Sequence, residues 1–240
     1  MRHFAPQVPD NEEISKPHDS SPLREVPRMI PAREALDRLR EGNRRFVASI
    51  GSHDTLRSEA RKIELAIDHK PFAIILGCSD ARVPAELVFD QGLGDLFVIR
   101  VAGNIVAPSQ VGSVEFAAAR FDTRLVVVLG HTQCGAILST IEELRQPAER
   151  QSRNLRSIVD RVRPSVENLM RTELRNDLDT LVKLAVRSNV VMSVNHLRYG
   201  SEVLEQLGRE HGLRIVGAEY CLETGVVDFF DDVDNYPVDG

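Results

Sequence analysis

Two short segments of this 240-residue chain carry side chains that are suited to metal chemistry. Residues 78–82 (CSDAR) hold a thiol, a carboxylate and a guanidinium at alternate positions, and residues 131–135 (HTQCG) hold an imidazole and a second thiol. Two thiolates and one imidazole form a sulfur and nitrogen ligand set for which Zn²⁺ is the favoured ion. The residue types therefore indicate a zinc site, provided that the fold brings Cys78, His131 and Cys134 together.

Three protein ligands leave the fourth tetrahedral position of zinc open, which is typical of a catalytic site. A water bound in that position becomes a hydroxide nucleophile near neutral pH. Asp80 can accept a hydrogen bond from this hydroxide, and Arg82 can hold Asp80 as a bidentate partner. Asp80 can also bind the zinc itself, so an open and a closed form of the site would then interconvert.

Each of these residues taken singly also has an ordinary structural explanation. A histidine at a strand end is often a hydrogen-bonded turn residue, and a lone cysteine often packs as a small apolar side chain. An Asp-Arg pair two residues apart is usually a surface ion pair of small energetic weight. The chain has no CxxC, HExxH, GxxxxGK[ST] or GxGxxG motif that would favour another chemistry. The coincidence of the two segments at matching strand ends favours zinc.

The two segments follow the ends of predicted strands. Apolar runs without alternation lie at residues 71–77, 95–101 and 124–130, and a helix-like stretch follows each of them. Such runs are typical of parallel strands that are covered on both faces. They predict an α/β fold, a mostly parallel central β-sheet flanked by helices. Polar groups beyond the carboxyl ends of such strands converge in one crevice, which would bring the two segments together.

The N-terminal part of the chain divides into a tail and a helical arm. Residues 1–30 are polar and rich in proline, which predicts a flexible tail or an arm that wraps a neighbouring subunit. A helix is expected to begin near Pro31, and a second short helix is expected around residues 57–67. The first helix has an apolar stripe of Ala35, Leu36, Leu39, Phe46 and Val47.

The C-terminal part of the chain is predicted to be helical and then to close the sheet. Residues 152–211 indicate long helices with an interruption at Pro164, and residues 212–230 indicate a hairpin or edge pair. Cys221 is expected on a strand there, as a buried structural thiol. Residues 31–240 are therefore interpreted as a single catalytic domain.

Composition excludes several classes of protein. Thirty basic and 36 acidic residues give a net charge of −6, which argues against a nucleic-acid-binding protein. The apolar runs are far shorter than the roughly 20 residues that a membrane-spanning helix needs. Three cysteines are too few for a disulfide scaffold, and the first residues lack the apolar stretch of a secretory signal. These features favour a cytoplasmic location.

The two motif segments resemble those of the β-class carbonic anhydrases. Residues 77–86 (GCSDARVPAE) resemble the C-x-D-x-R segment of that family, and residues 130–136 (GHTQCGA) resemble its H-x-x-C segment. Residues 95–104 (DLFVIRVAGN) resemble the strand and loop that lie between them. The similarity extends from about residue 35 to residue 230, so the tail falls outside it.

The resemblance implies reversible hydration of CO₂ to bicarbonate and a proton, with Zn²⁺ as the cofactor. It implies that Cys78, His131 and Cys134 bind the zinc and that Asp80 and Arg82 form the catalytic dyad. It also implies a homo-oligomer, a dimer or a multiple of dimers. Its substrate pocket would be lined by His69 (often Gln in the family), Phe97, Ala102 (often Val), Phe116 (often Tyr) and Gly135.

Two other functions remain open from the sequence. A hydrolase of CS₂ or COS on the same scaffold would attack a linear apolar substrate with the same nucleophile. A zinc-binding regulatory protein with a permanently closed site would need no open position on the metal. A redox protein with two cysteines is a more distant alternative because no paired CxxC motif is present.

Overall fold

The computed structural model describes residues 30–50, 69–146 and 152–231. Its strands form one sheet: β1 (Ala73–Gly77), β2 (Leu96–Arg100), β3 (Leu125–His131), β4 (Arg214–Tyr220) and β5 (Val227–Asp228). The strand order is β2-β1-β3-β4-β5; the first four are parallel, and β5 pairs antiparallel with β4. This arrangement confirms the mostly parallel sheet and the closing antiparallel pair.

The helices flank this sheet. They are α1 (Ala32–Val47), α2 (Ala85–Val88), α3 (Pro108–Phe121), α4 (Gly135–Arg145), α5 (Arg153–Met170), α6 (Leu178–Tyr199) and α7 (Glu202–His211), with 3₁₀ turns at Ala102–Asn104 and Glu173–Asn176. Among the described residues, no helix combines the length and apolar character that crossing a bilayer requires. The tail up to residue 29 and the helix expected at residues 57–67 lie outside the described residues.

Both faces of the central strands are buried, which explains their unbroken apolar sequence. Along β1, Ile75 packs in a core cluster with Leu36 of α1, whereas Leu76 packs on the opposite face in a cluster with Val190 of α6. Successive side chains of a strand point to opposite faces, so one run of apolar residues serves both layers. The expected helical stripe on α1 is wrong at Val47, which ends the helix and is 43% exposed.

The expectation that Pro164 interrupts a helix is wrong. The helix runs through this residue without a break, and Pro164 lies on its exposed face. Val162 and Val166 are fully buried in a cluster that α5 shares with α4 and α6. A proline inside a helix removes one backbone hydrogen bond and strains the preceding turn. Here the packing of the buried face keeps the helix continuous.

Helix α6 approaches the sheet closely at two glycines. A Cβ atom at Gly130 would lie 2.5 Å from Cγ2 of Val190, and one at Gly217 would lie 3.0 Å from Cγ1 of the same residue. Gly130 is on β3 and Gly217 on the neighbouring β4, so the fully buried Val190 fits a notch between the two strands. The notch fixes the height of α6 above the sheet immediately beside His131.

Gly130→Ala is expected to lower the free energy of unfolding by about 1–3 kcal/mol, the usual cost of overpacking a core. The added methyl group would overlap Val190 unless α6 moved away from the sheet. Urea denaturation followed by circular dichroism measures the change. Gly112→Ala on α3 is the matched control, because a Cβ there meets no atom within 4 Å. Equal stability of Gly130→Ala and the wild type would show that α6 is free to shift.

Candidate metal centre

The carboxyl ends of β1 and β3 bring the two motif segments together. Gly77, the last residue of β1, lies opposite Leu129, so Cys78 comes directly after one strand as His131 ends its neighbour. Cys134 precedes the first turn of α4. One ligand atom from each of Cys78, His131 and Cys134 lies within 4.8 Å of the other two. We call these three residues the metal cluster.

The metal cluster is closed off from solvent. His131 is 0% exposed, Cys134 1% and Cys78 6%, and the two sulfur atoms lie 4.0 Å apart. A tetrahedral ion with metal–sulfur bonds of about 2.3 Å separates two thiolates by roughly 3.8 Å. The cysteines therefore already stand near the separation that zinc requires.

The imidazole of His131 is oriented with one nitrogen toward the cluster. Its Nδ1 lies 2.9 Å from the backbone oxygen of Thr132, so Nδ1 carries the ring hydrogen and donates a hydrogen bond to that oxygen. The other nitrogen, Nε2, is buried without a hydrogen-bond partner. Leaving a buried polar atom unpaired costs about 1–3 kcal/mol. A metal ion would satisfy this atom, and a backbone acceptor at the other ring nitrogen is the usual support for a metal-binding histidine.

The pKa values of the two thiols are shifted in opposite directions. A hydrogen bond from the Cys134 thiol, aided by the backbone N–H of Gly103, lowers the pKa of Cys78 to about 4 although burial opposes this. The hydrogen bond with Cys78 and burial both raise the pKa of Cys134. Two thiolates this close repel each other, and a divalent cation would supply the positive charge that allows both to ionise.

Asp80 and Arg82 form a bidentate ion pair at the edge of the metal cluster. The Nε and Nη2 atoms of Arg82 donate to the two carboxylate oxygens over 2.9 and 2.8 Å, and its backbone N–H donates over 3.0 Å. These bonds hold the pKa of the Asp80 carboxyl well below its usual range. One oxygen of this carboxylate lies 3.9 Å from Nε2 of His131. Asp80 is therefore a charged acceptor beside the cluster.

Two further residues support these segments, and the sequence did not indicate this role for either of them. Arg100, at the end of β2, donates from Nε to the backbone oxygen of Cys78 over 3.0 Å and from Nη2 to that of Asp80. Glu223 accepts hydrogen bonds from Gln133 over 2.6 Å and from Thr132 over 3.3 Å. For Arg100, the sequence shows only a charged residue near the end of an apolar run. For Glu223, no sequence pattern indicates a contact with these segments.

The expected pocket residues fall into two groups. Ala102 precedes Gly103, whose N–H contacts the sulfur of Cys78. Gly135 directly follows Cys134. His69 instead packs on Phe121, with ring centres 4.9 Å apart, and Phe121 also contacts Phe97 and Phe116. Phe116 is 55% exposed. Within one chain, the aromatic residues thus form their own cluster, in which Phe121 was not expected.

The expectation that Cys221 is a buried strand residue is wrong. Strand β4 ends at Tyr220, and Cys221 begins a turn that is closed by a 2.8 Å bond from the N–H of Gly225 to the oxygen of Cys221. Its thiol is partly exposed and donates to Glu223 over 3.2 Å. Cys221 is therefore separate from the metal cluster.

The fold and the site define an α/β protein with a sulfur and nitrogen metal cluster where two parallel strands end. A carbonic anhydrase family profile matches residues 73–227. Carbonic anhydrase 2 of Mycobacterium tuberculosis is 37% identical over 208 residues, 82% of this chain and 92% of that protein. The carbonic anhydrase of Mycolicibacterium smegmatis is 36% identical over 198 residues, 79% of this chain and 89% of that protein. The chain therefore belongs to the β-carbonic anhydrase family.

The solved structures agree with this assignment. The crystal structure of the β-carbonic anhydrase CafA of Aspergillus fumigatus matches with a TM-score of 0.64 and 25% identity, over 71% of this chain and 80% of that chain. The β-carbonic anhydrase of Coccomyxa, in complex with acetazolamide, matches with a TM-score of 0.63 at 21% identity, over 81% of this chain and 86% of that chain. At 21% identity, the match to the Coccomyxa protein supports the fold only.

Proposed function

We propose that the chain catalyses the zinc-dependent, reversible hydration of CO₂ to bicarbonate and a proton, with Cys78, His131 and Cys134 as the metal ligands. The observation that carries this proposal is the convergence of three buried ligand atoms within 4.8 Å, one of them the unpartnered Nε2 of His131. Membership of the carbonic anhydrase family supports the choice of reaction. When bound, Zn²⁺ supplies a Lewis acid that makes a coordinated water a nucleophile near neutral pH.

Asp80 and Arg82 are proposed as the dyad that orients the reacting groups. Arg82 keeps Asp80 ionised, so Asp80 acts as an acceptor and not as a proton donor at neutral pH. In support, one of its carboxylate oxygens lies 3.9 Å from Nε2 of His131, close to the proposed metal ligands. The same carboxylate would become a fourth ligand in a closed form only if it released Arg82. Rotation of Asp80 away from Arg82 is therefore the step that would separate the two forms.

We also propose which residues line the substrate pocket and that the protein assembles as a homo-oligomer. We assign Ala102 and Gly135 to the wall beside the ligands, and His69, Phe97 and Phe116 to a second wall that another subunit completes. In support, Phe116 is half exposed and β2 is an edge strand of the described sheet. Light scattering is expected to report a homodimer or a multiple of it. The free thiols of the metal cluster favour a reducing, cytoplasmic compartment.

Stopped-flow assays with a pH indicator test the reaction directly. We expect the zinc-loaded protein to hydrate CO₂, a chelator to abolish this activity, and added zinc to restore it. Hydrolysis of COS or CS₂ without CO₂ hydration would favour the sulfur-substrate alternative. Stoichiometric zinc without turnover of any of these gases, from neutral to alkaline pH, would favour a regulatory zinc protein.

A further inference from the structure

The 3₁₀ turn at Ala102–Asn104 directs a backbone N–H at one sulfur of the metal cluster. Gly103 donates to Sγ of Cys78 over 3.3 Å. Both Gly103 and Asn104 adopt positive φ angles, 70° and 42°, which are uncommon for residues other than glycine. Glycine and asparagine adopt this region more readily than other residues, so the strain is small and the orientation of the turn is set by what it contacts. The direction of this N–H therefore depends on what the turn is anchored to.

Helix α6 supplies the anchors. Nδ2 of Asn189 donates to the backbone oxygen of Gly103 over 2.8 Å, and Oγ of Ser193 donates to that of Asn104 over 3.1 Å. Asn189 is 2% exposed and Ser193 is 5% exposed, and they lie four residues apart on one helix face. Each side chain satisfies a carbonyl that the tight turn leaves without a partner among its own backbone groups.

The position of α6 is itself fixed against the strand that carries His131. Val190, adjacent to Asn189, occupies the notch at Gly130 and Gly217. The same helix therefore packs on the strand of one proposed ligand and holds the turn that contacts another. This contact sequence connects the packing of α6 to the electronic environment of Cys78.

We infer that Asn189, assisted by Ser193, is a positioning residue that keeps the Gly103 N–H directed at the Cys78 sulfur. The bond from Asn189 holds the peptide unit that follows Gly103. The N–H of Gly103 belongs to the preceding peptide unit, so Asn189 acts on its direction through the two backbone torsions of Gly103. An N–H donated to a ligand sulfur withdraws electron density from it, and such outer contacts tune a bound metal. The inference rests on the proposed function, since it requires a metal ion in the metal cluster.

Cobalt substitution tests this role by a signal other than turnover. Co²⁺ bound by thiolates shows a sulfur-to-metal charge-transfer absorption whose energy follows the electron density on sulfur. In Asn189→Ala the Gly103 N–H is released, so this band is expected to move to longer wavelength. Zinc affinity, measured by competition with a chromophoric chelator, is expected to fall by about 10- to 100-fold. Ser193→Ala, a smaller change, is expected to shift both quantities in the same direction.

Thr123→Val is the matched control for these variants. Thr123 is also fully buried, and its hydroxyl donates to the backbone oxygen of Pro71 over 2.7 Å near the opposite ends of the strands. This variant should lose stability but keep the wild-type band and zinc affinity. Wild-type values in both Asn189→Ala and Ser193→Ala would overturn the inference, leaving only a structural role. If Asn189→Ala does not fold, Ser193→Ala decides the question alone.

Failure of the metal site and failure of the role of Asn189 would give different results. A wild-type protein without any thiolate charge-transfer band after Co²⁺ addition would overturn the metal site and, with it, the inference. A wild-type band that stays unmoved in the α6 variants would overturn only the role of Asn189 and Ser193.

Discussion

Alanine at Cys78, His131 or Cys134 is expected to remove bound zinc and CO₂ hydration together. Each change deletes one of three buried donors and leaves a site with too few ligands for a tetrahedral catalytic zinc. Zinc content, measured by mass spectrometry after dialysis, should fall from about one ion per chain to near zero. Activity should fall to the uncatalysed rate in the same samples, since the nucleophile depends on the metal.

Cys221→Ala is the matched control for the cysteine variants. Cys221 is a free thiol in the turn after β4 and contacts Glu223, outside the metal cluster. Its replacement should leave zinc content and hydration unchanged. Full zinc retention by Cys78→Ala or Cys134→Ala would contradict the ligand assignment. Loss of zinc from Cys221→Ala would show that the third cysteine takes part in binding.

Strands β1 and β3 were predictable because they are buried along their whole length, whereas the edge strand β2 is only partly buried. Residues 71–77, 95–101 and 124–130 are mostly apolar, with charges only at Asp95, Arg100 and Arg124, and the structure covers both faces of β1 and β3. The convergence of Cys78 with His131 also followed from topology, since parallel neighbours end at one edge. These conclusions needed only the order and period of apolar residues, and not the packing of individual side chains.

The supports of the metal cluster were not predictable in this way. Asn189 lies 86 residues from Gly103, and Glu223 lies 90 residues from Gln133. Whether such residues meet depends on how closely a helix or turn approaches the sheet. For α6 that distance is set by Val190 at Gly130. A glycine within an apolar strand indicates close approach of another element but does not identify its partner.

Pro164 and Cys221 show two ways in which local reasoning was wrong. Pro164 has a strong local tendency to end a helix, yet the burial of Val162 and Val166 keeps α5 intact. Cys221 follows an apolar run that reads as a strand, but the turn closed by Gly225 ends β4 one residue earlier. Tertiary packing determines that the helix continues through Pro164, and the geometry of a turn determines that the strand ends before Cys221.

Asp80→Asn is expected to retain zinc and to lower the rate of CO₂ hydration by about 10²- to 10³-fold, the usual cost of losing one positioned hydrogen-bonding group from an active site. The amide has nearly the same shape as the carboxylate, but it carries no charge and can turn a donor toward the cluster. It also loses the bidentate pair with Arg82 that fixes the acceptor. Stopped-flow assays and zinc content on the same sample separate this effect from metal loss.

Asp177→Asn provides the comparison that makes this result specific. Asp177 is another carboxylate whose pKa is lowered by a hydrogen bond, here from Thr180, and it caps the start of α6. Asparagine caps helices about as well as aspartate, so stability and activity should stay near wild type. A similar loss of activity in both variants would mean that charge removal acts through the whole protein. Wild-type turnover in Asp80→Asn would exclude Asp80 from the dyad and leave the metal cluster as the whole catalytic apparatus.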